Sequence, residues 1–243
     1  MDRGLALIRE RIRALGSERG AEVARRFFKT GPGDYGEGDR FLGVSVPQLR
    51  GILPEAGELT EQEAGLLLRS VWHEERLFAL LLLVRRFQNA PEGGEMQERV
   101  VALYLENLPL VNNWDLVDSS APQILGTWLL GRDRAVLEGL AASPVMWERR
   151  VAMVSTLTFI RVGDIAWTLR LVGRLLTDPH DLMHKACGWM LREAYKKEAS
   201  PVLEFLEKHG DRMPRTMLRY AIERVPAGER KRLLQRHPPG SRR

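Results

Sequence analysis

The feature that most constrains the fold of this chain is an almost continuous series of helical patterns from Thr60 onward. Apolar residues recur there with the three- and four-residue spacing of amphipathic helices. Proline and glycine, which interrupt helices, fall between the segments. No alternating pattern typical of strands stands out, so an all-α fold is predicted. The expected helices span about 60–70, 73–88, 95–107, 113–130, 132–141, 147–161, 164–176, 181–197, 200–209, 214–224 and 228–236.

The N-terminal part of the chain predicts two short amphipathic helices and a loop. Apolar residues from Leu5 to Leu15 recur at helical spacing, and a second helix follows Ser17. The segment 31–39 is a predicted loop because its glycines disfavour a helix. It also lacks the Lys-Ser/Thr pair that ends a phosphate-binding loop. Pro47 suits the first turn of a further helix.

Three of the predicted helices look alike, which indicates an internal repeat. They begin near His73, Trp147 and His184, so their starts lie 74 and then 37 residues apart. A spacing of about 37 to 40 residues is typical of two-helix HEAT-type units that stack on their neighbours. We therefore predict one HEAT-like α-solenoid domain over residues 1–236, curved with a basic concave face, and a flexible basic tail at 237–243. A compact helical bundle would explain the helices equally well, but not the spacing.

The predicted helix 113–130 has a recognisable start and an internal proline. Asn112 or Asn113 can cap its N-terminus, because a side-chain oxygen there accepts a hydrogen bond from an unpaired backbone N–H group. The helix is therefore predicted to begin at Trp114. Pro122 should kink this helix or split it in two.

The first turns of this helix bring an aromatic ring and a carboxylate to one surface. Trp114 and Asp118 are spaced i, i+4 and share a face, whereas Asp115 points about 100° away. The structural alternative is that Trp114 belongs to the core and both aspartates merely suit the positive end of a helix dipole.

Positive charge is concentrated in the second half of the chain. Lysine and arginine total 37, against 32 aspartates and glutamates. Up to Ala121 there are 15 basic and 19 acidic residues, and after it 22 and 13, which gives net charges of −4 and +9. A basic half favours a polyanionic partner, although scattered lysines and arginines are as often only a solvated surface.

The sequence predicts a cytoplasmic protein. Cys187 is the only cysteine, so an internal disulfide is excluded and a reducing compartment fits best. The longest apolar run, 77–84, is far too short to span a bilayer. No membrane partner is expected.

Several enzyme classes find no support in the sequence. The run 73–77, His-Glu-Glu-Arg-Leu, resembles a zinc-protease helix, but Leu77 stands where the second histidine belongs. The five histidines and one cysteine lack metal-ligand spacing, so neither a metal nor another cofactor is expected. Ser119 and Ser120 lie in no Gly-x-Ser-x-Gly turn, which disfavours a nucleophilic hydrolase.

Tryptophan and arginine recur on separate predicted helices. Arg149 and Arg150 follow a helix start, and Trp189 and Arg192 lie i, i+3 on one face. Arginine can grip a phosphate with two hydrogen bonds, and tryptophan offers a flat face to a base or a cation, so these pairs suit nucleic acid. The alternative is that the tryptophans fill the core while the arginines are solvated or pair with aspartates.

Four motifs follow one another along the chain in an order and spacing that are hard to obtain by chance. They are Phe41-Leu42-Gly43-Val44 followed by Pro47 and Arg50, then Trp114-Asp115-x-x-Asp118, then Trp147-x-x-Arg150, and finally Lys185-Ala186-x-Gly188-Trp189-x-Leu191-Arg192-Glu193. Together they resemble the AlkD family of DNA alkylation-repair glycosylases, which are HEAT-like solenoids. The resemblance spans roughly residues 1–225.

The resemblance implies an enzyme of base excision repair that removes positively charged N3- and N7-alkylpurines from double-stranded DNA by hydrolysing the N-glycosidic bond. By the same resemblance, the catalytic residues are Asp118, Trp114 and Arg150. The choice between Asp115 and Asp118, and between Arg149 and Arg150, stays open at this stage. The residues expected to contact substrate or DNA are Trp189, Arg149, Asp115, Arg192 and Lys185.

Base release without strand cleavage is expected. No lysine accompanies the face of Trp114 and Asp118 to form a Schiff base, and Lys185 lies in a scaffold-like run. The protein is expected to act as a monomer on DNA. The alternative is a non-catalytic HEAT-repeat scaffold that binds DNA or a protein.

Overall fold

The computed structural model describes residues 3–236, and this part of the chain is all-α. A 3₁₀ turn covers Leu53–Ala56, another covers Leu108–Leu110, and a π-helical turn covers Pro122–Gly126. The predicted tail at 237–243 lies outside the described residues. The α-helices are α1 (Arg3–Ala14), α2 (Glu18–Phe27), α3 (Val46–Ile52), α4 (Glu61–Leu68), α5 (His73–Asn89), α6 (Glu95–Glu106), α7 (Trp114–Asp118), α8 (Ala135–Ala141), α9 (Met146–Arg161), α10 (Ala166–Leu175), α11 (Asp181–Lys197), α12 (Ala199–His209), α13 (Arg215–Ala221) and α14 (Ala227–Arg236).

Local signals explain where some of the helices begin. The Ser17 side chain accepts a hydrogen bond from the Gly20 N–H and caps α2, and Thr60 and Glu63 form a capping box at α4. The prediction for the central helix is confirmed in its split form, because α7 ends at Asp118 before the π-helical turn that Pro122 opens. Larger differences occur at α8, which begins three residues after the predicted start, and at α13, which ends three residues early.

The chain divides into two compact units, the first ending at Ser120 and the second beginning at Ala121. The single domain over 1–236 and its solenoid curvature stay predictions. None of the helices within residues 3–236 is long and apolar enough to cross a membrane.

In the first unit, α5 is the central helix and contacts α1, α3, α4, α6 and α7. Its apolar run 77–84 is buried along its whole length, so this segment is core. The polar residues at its start are buried as well. Glu74, for example, accepts hydrogen bonds from the backbone N–H groups of Leu42, Gly43 and Val44, at 2.9, 2.7 and 3.2 Å. This carboxylate therefore fixes the end of the loop that precedes α3.

Gly43 shows why this loop end cannot carry a side chain. Its φ is +79°, and a Cβ added there would lie 2.2 Å from the Ser17 carbonyl oxygen. Only glycine suits a left-handed backbone in such close contact with another chain segment.

In the second unit, the helices pack in two rows. Helices α9, α11 and α13 contact one another in succession, and so do α8, α10 and α12. Helices of one row also contact chain neighbours in the other row, as α8 does with α9, α10 with α11 and α11 with α12. Such packing is compatible with stacked helix pairs. Gly188 allows the close approach of α11 to α13, since a Cβ there would lie 2.5 Å from the Met217 carbonyl oxygen.

Candidate active site

Helix α7 carries the first group of predicted site residues. As predicted, it begins at Trp114 after the cap residue Asn113, whose side-chain oxygen accepts the Trp114 N–H at 2.8 Å. Leu116 and Val117 are fully buried and anchor the helix. Trp114 and Asp118 are half-buried and lie one turn apart on the same face. An aromatic ring and a carboxylate thus share one partly accessible surface.

Asp115 belongs to a buried hydrogen-bond network instead of that surface. Its Oδ2 lies 2.8 Å from Nε2 of His73, and its Oδ1 accepts the Leu116 N–H at 2.9 Å. Only 14% of the Asp115 side chain is exposed. The carboxylate of Asp115 therefore ties the first turn of α7 to the first residue of α5.

Asp39 closes the network from the other side. Its Oδ2 lies 3.2 Å from Nδ1 of His73 and accepts the Asn113 amide at 2.9 Å, while its Oδ1 accepts Arg76 at 2.6 Å. Asn113 therefore has two tasks, since one end of its amide caps α7 and the other binds Asp39. The segment 31–39, which the sequence predicts only as a loop, thus supplies a carboxylate at the centre of the network.

The electrostatics of this network favour a charged imidazole. Burial alone would lower the pKa of His73, but the hydrogen bonds and charges of Asp115 and Asp39 outweigh it and raise the pKa to about 9. Burial would raise the pKa of Asp39, but His73, Arg76 and Asn113 together hold it below its usual value. Both groups are therefore ionised near neutral pH.

An aromatic cluster lies beside the network. Phe28 stacks on Trp114 with ring centroids 5.4 Å apart, and Phe27 meets Trp114 edge-on at 5.7 Å. Phe28 and Phe41 also contact the His73 ring, at 4.9 and 4.6 Å between centroids. Phe27 is 62% exposed, an unusual exposure for a large apolar ring. The surface next to Trp114 is thus broad, aromatic and partly open.

Buried hydroxyl groups support the far end of α7. The Ser120 hydroxyl donates to the Leu116 carbonyl at 2.6 Å, and the Tyr104 hydroxyl lies 3.0 Å from the Ser120 oxygen. Burial, with the nearby charge of Asp118, raises the pKa of Tyr104 above its usual value, so this phenol stays protonated. The backbone next to Asp118 is therefore held by hydrogen bonds to buried side chains.

The second group of predicted site residues lies on α9 and α11 in the second unit. Arg149 is buried, and its donors meet internal acceptors. Its Nε and Nη2 reach the two carboxylate oxygens of Asp178 at 2.6 and 3.3 Å. Its Nη1 donates to the Ser143 and Pro144 carbonyls at 2.9 and 3.0 Å. This is the geometry of a structural ion pair.

Arg150 is also buried but points to a different neighbour. Its Nη1 donates to the Leu182 carbonyl at 2.7 Å, so the guanidinium is held against the first turn of α11. Lys185 pairs with Asp181 at 2.7 Å on the surface of the same helix. Arg192 bridges Glu193 and Glu223, and less than a quarter of its side chain is exposed.

Trp189 is half-buried and lines a cavity of about 460 Å³ in the second unit. Three cations lie on the wall of this cavity, together with one carboxylate. They are Arg161, Lys196, Lys197 and Glu193. An aromatic face bordered by cations suits a sugar-phosphate chain.

The residues that the sequence missed are Asp39, His73 and the two phenylalanines that contact Trp114, Phe27 and Phe28. The sequence relates His73 to a helix start and to an incomplete zinc-protease motif, and neither indicates a buried hydrogen-bond network. In residues 3–236 no group of three or more histidine, cysteine, aspartate or glutamate side chains could hold a metal ion. One signal was available: a run of four polar residues at the start of an otherwise apolar helix requires buried partners if the helix is central.

The comparisons with known proteins place the chain in a family. A family model described as DNA alkylation repair enzyme matches residues 8–225. The chain therefore belongs to this family, which gives it a role in the repair of alkylated DNA. Comparison with curated proteins gave no match.

A solved structure supports the fold. It is described as a predicted DNA alkylation repair enzyme from Enterococcus faecalis, with a TM-score of 0.68 over 87% of this chain and 97% of that chain. The two sequences are 18% identical, so the likeness concerns the fold alone. It agrees with the all-α prediction.

Proposed function

We propose that the chain is a monofunctional DNA glycosylase that excises positively charged N3- and N7-alkylpurines from double-stranded DNA. The observation that carries the proposal is the face of α7, where half-buried Trp114 and Asp118 lie one turn apart on a helix held by buried hydrogen bonds. Membership of the DNA alkylation repair family supports a catalytic role for this face.

The lesion itself supplies part of the chemistry. A purine alkylated at N3 or N7 already carries a positive charge, so its bond to the sugar is weakened and the base can leave without protonation by the enzyme. The electron pair of the C1′–N bond leaves with the base, which neutralises the base charge. Positive charge then develops at C1′ and the ring oxygen of the sugar. The enzyme must stabilise that charge and deliver water.

Asp118 is the group proposed for this task. Its carboxylate stabilises the cationic sugar electrostatically and orients a water molecule, which adds to C1′ and passes its proton to the carboxylate. The products are the free base and an abasic sugar with a hydroxyl group at C1′. We assign this role to Asp118 and not to Asp115, because Asp115 is engaged with His73 and the Leu116 N–H.

Three other side chains have proposed roles in binding the DNA. The ring of Trp114 contacts the deoxyribose of the lesion and attracts its developing charge through cation–π interaction. Trp189 provides a second apolar contact to sugar and backbone, and Arg150 binds a phosphate. The support for Arg150 over Arg149 is that the Arg149 guanidinium is committed to Asp178, Ser143 and Pro144.

A single substitution tests the proposal most directly. Asp118→Asn keeps the shape and removes the charge, so single-turnover excision of N7-methylguanine from methylated duplex should fall about 10²-fold or more, or about 3 kcal/mol of barrier. Affinity for the duplex should barely change. The matched control is Asp211→Asn, which removes the same charge from an exposed aspartate of the second unit.

Three results would count against parts of the proposal. Equal excision by wild type and Asp118→Asn would remove the assignment of this residue. Trapping of a covalent enzyme–DNA adduct with borohydride would show a Schiff base and overturn the monofunctional mechanism. DNA binding that weakens with salt, without any excision by the wild type, would favour a DNA-binding scaffold.

A further inference from the structure

The proposed active face lies on a helix that cannot be stable by itself. Helix α7 has five residues, little more than one turn, and isolated helices of that length do not form in water. Its position therefore depends on side chains outside it. At its N-terminal end those contacts come from His73 through Asp115, and from Asp39 through Asn113.

The geometry of His73 determines its charge. Nε2 faces a carboxylate oxygen of Asp115 and Nδ1 faces a carboxylate oxygen of Asp39, at 2.8 and 3.2 Å. Ionised carboxylates only accept hydrogen bonds, so both ring nitrogens must donate. A neutral imidazole has a single N–H and would satisfy one partner alone. The arrangement is therefore that of an imidazolium between two carboxylates.

The other groups around the ring are consistent with this charge. The rings of Phe28 and Phe41 contact the imidazole, with centroids 4.9 and 4.6 Å away, and an aromatic face attracts a cation. A second cation, Arg76, pairs with the other oxygen of Asp39 at 2.6 Å. Two carboxylates are thus balanced by two cations. The raised pKa of His73 agrees with this balance.

Phe28 gives His73 a second route to the proposed active face. The ring of Phe28 contacts both the His73 imidazole and the Trp114 indole, on which it stacks at an interplanar angle of 24°. A change in the charge or position of His73 would therefore reach Trp114 both through the hydrogen bonds of Asp115 and through this ring.

We propose that His73, as a buried imidazolium shared by Asp39 and Asp115, is a positioning residue that fixes α7 and thereby sets the Trp114–Asp118 face. Its effect on excision rests on the proposed function, whereas its effect on α7 does not. Loss of its charge leaves Asp115 buried opposite a neutral group, which favours movement of the first turn of α7 toward water.

The first experiment compares charge-matched variants in single-turnover excision of N7-methylguanine at pH 7.5. His73→Gln should slow excision at saturating enzyme at least about 10-fold, because small displacements of a catalytic group are costly, with little change in affinity for DNA. The double variant His73→Gln/Asp115→Asn should recover most of the loss, since the buried carboxylate is then also neutral. His180→Gln, at an exposed histidine, is the control. Additive losses in the double variant, at equal folded fraction, would overturn the proposal.

The closing experiment needs no substrate. The His73 ring protons and the Trp114 indole N–H are followed by NMR from pH 6 to 10.5 in the wild type, with the Trp114 signal assigned by its loss in Trp114→Phe. We expect the Trp114 signal to shift with the midpoint of His73, near pH 9, while the indole signal of Trp167 does not. In Asp115→Asn, the His73 midpoint should fall.

The two experiments separate the two ideas. A Trp114 signal that follows His73 in a protein that excises nothing would support the positioning role and refute the proposed glycosylase. Excision by the wild type, with a Trp114 signal that does not respond to His73, would refute the positioning role and leave the glycosylase standing.

Discussion

The first turns of α5 and α9, one in each compact unit, share the same structural device, an arginine that binds the loop preceding the helix. Arg76 and Arg149 are the fourth residues of their helices. Each donates through Nη1 to the carbonyl six residues earlier, that of Ser70 or Ser143, at 3.1 and 2.9 Å. Each also pairs with a buried aspartate. The arginine thus ties the preceding loop to the helix that follows it.

Helix α11 uses a weaker form of this device. His184, again the fourth residue, lies with Nε2 2.6 Å from the Asp178 carbonyl, also six residues earlier. The three equivalent positions, 76, 149 and 184, are 73 and 35 residues apart, slightly less than the 74 and 37 read from the sequence motifs. The three positions are equivalent because each side chain binds the loop that precedes its helix. The sequence motifs do not place these three residues at matching positions.

The difference between α5 and α9 lies at their first residue. In α5 it is His73, whose two nitrogens face Asp39 and Asp115, and in α9 it is Met146, which cannot form such contacts. The fourth residue therefore stabilises the loop-to-helix junction in both units. The first residue of α5 instead binds Asp115 of α7. Repeated helices can keep one position for stability and give another to a local site.

The largest expected effect comes from breaking the device in α9. Arg149→Ala leaves the Asp178 carboxylate buried without its cation, which should cost about 3–5 kcal/mol in free energy of unfolding. Urea unfolding followed by far-UV circular dichroism measures it. Arg161→Ala, at an exposed position of the same helix, is the control and should stay within about 0.5 kcal/mol of wild type.

Arg76→Ala sharpens the same comparison. Asp39 keeps His73 and Asn113 as partners when Arg76 is lost, so this variant should cost less than Arg149→Ala. The Nε of Arg76 also has no hydrogen-bond partner, whereas that of Arg149 binds Asp178. An equal or greater loss in Arg76→Ala would contradict the ranking.

The next effect comes from the first residue of α5 and depends on pH. The pKa of His73 is raised from 6.5 to about 9 on folding, so its stabilisation is complete below pH 6.5 and is lost as pH rises through 9. The loss should reach about 3 kcal/mol, since each pKa unit corresponds to about 1.4 kcal/mol. Urea midpoints at pH 6.5, 8 and 10 measure it. His73→Gln should lack this part of the pH dependence; an unchanged profile would contradict the prediction.

The sequence predicted helices better than side-chain partners, and the reason is physical. Periodicity and breakers are local, so the helix patterns and the cap at Asn113 could be read from neighbouring residues. The partners of His73 lie 34 and 42 residues away, and no local pattern encodes such a pairing. Asp39 was missed for the same reason, because a glycine-rich loop gives no sign that one of its carboxylates is buried.

The site was predictable only in part. The i, i+4 spacing gave the common face of Trp114 and Asp118, since helix geometry fixes which residues share a face. Periodicity could not separate Arg149 from Arg150, because adjacent residues on a buried helix differ only in the neighbours that the fold supplies. Those neighbours are Asp178 for Arg149 and the Leu182 carbonyl for Arg150.

The smallest expected effect concerns the weak form of the device in α11. His184→Ala removes one partly buried side-chain hydrogen bond to the Asp178 carbonyl and no ion pair, so it should cost about 1 kcal/mol in free energy of unfolding. His180→Ala makes the same chemical change at an exposed histidine four residues earlier and should have no measurable effect. Urea midpoints at pH 8 serve for both variants. A loss in His184→Ala as large as that in Arg149→Ala would show that the carbonyl contact, and not the buried ion pair, carries the stability of this device. Arg76 and Arg149 would then stabilise the fold mainly through their hydrogen bonds to the preceding loop, and not through their ion pairs with aspartates.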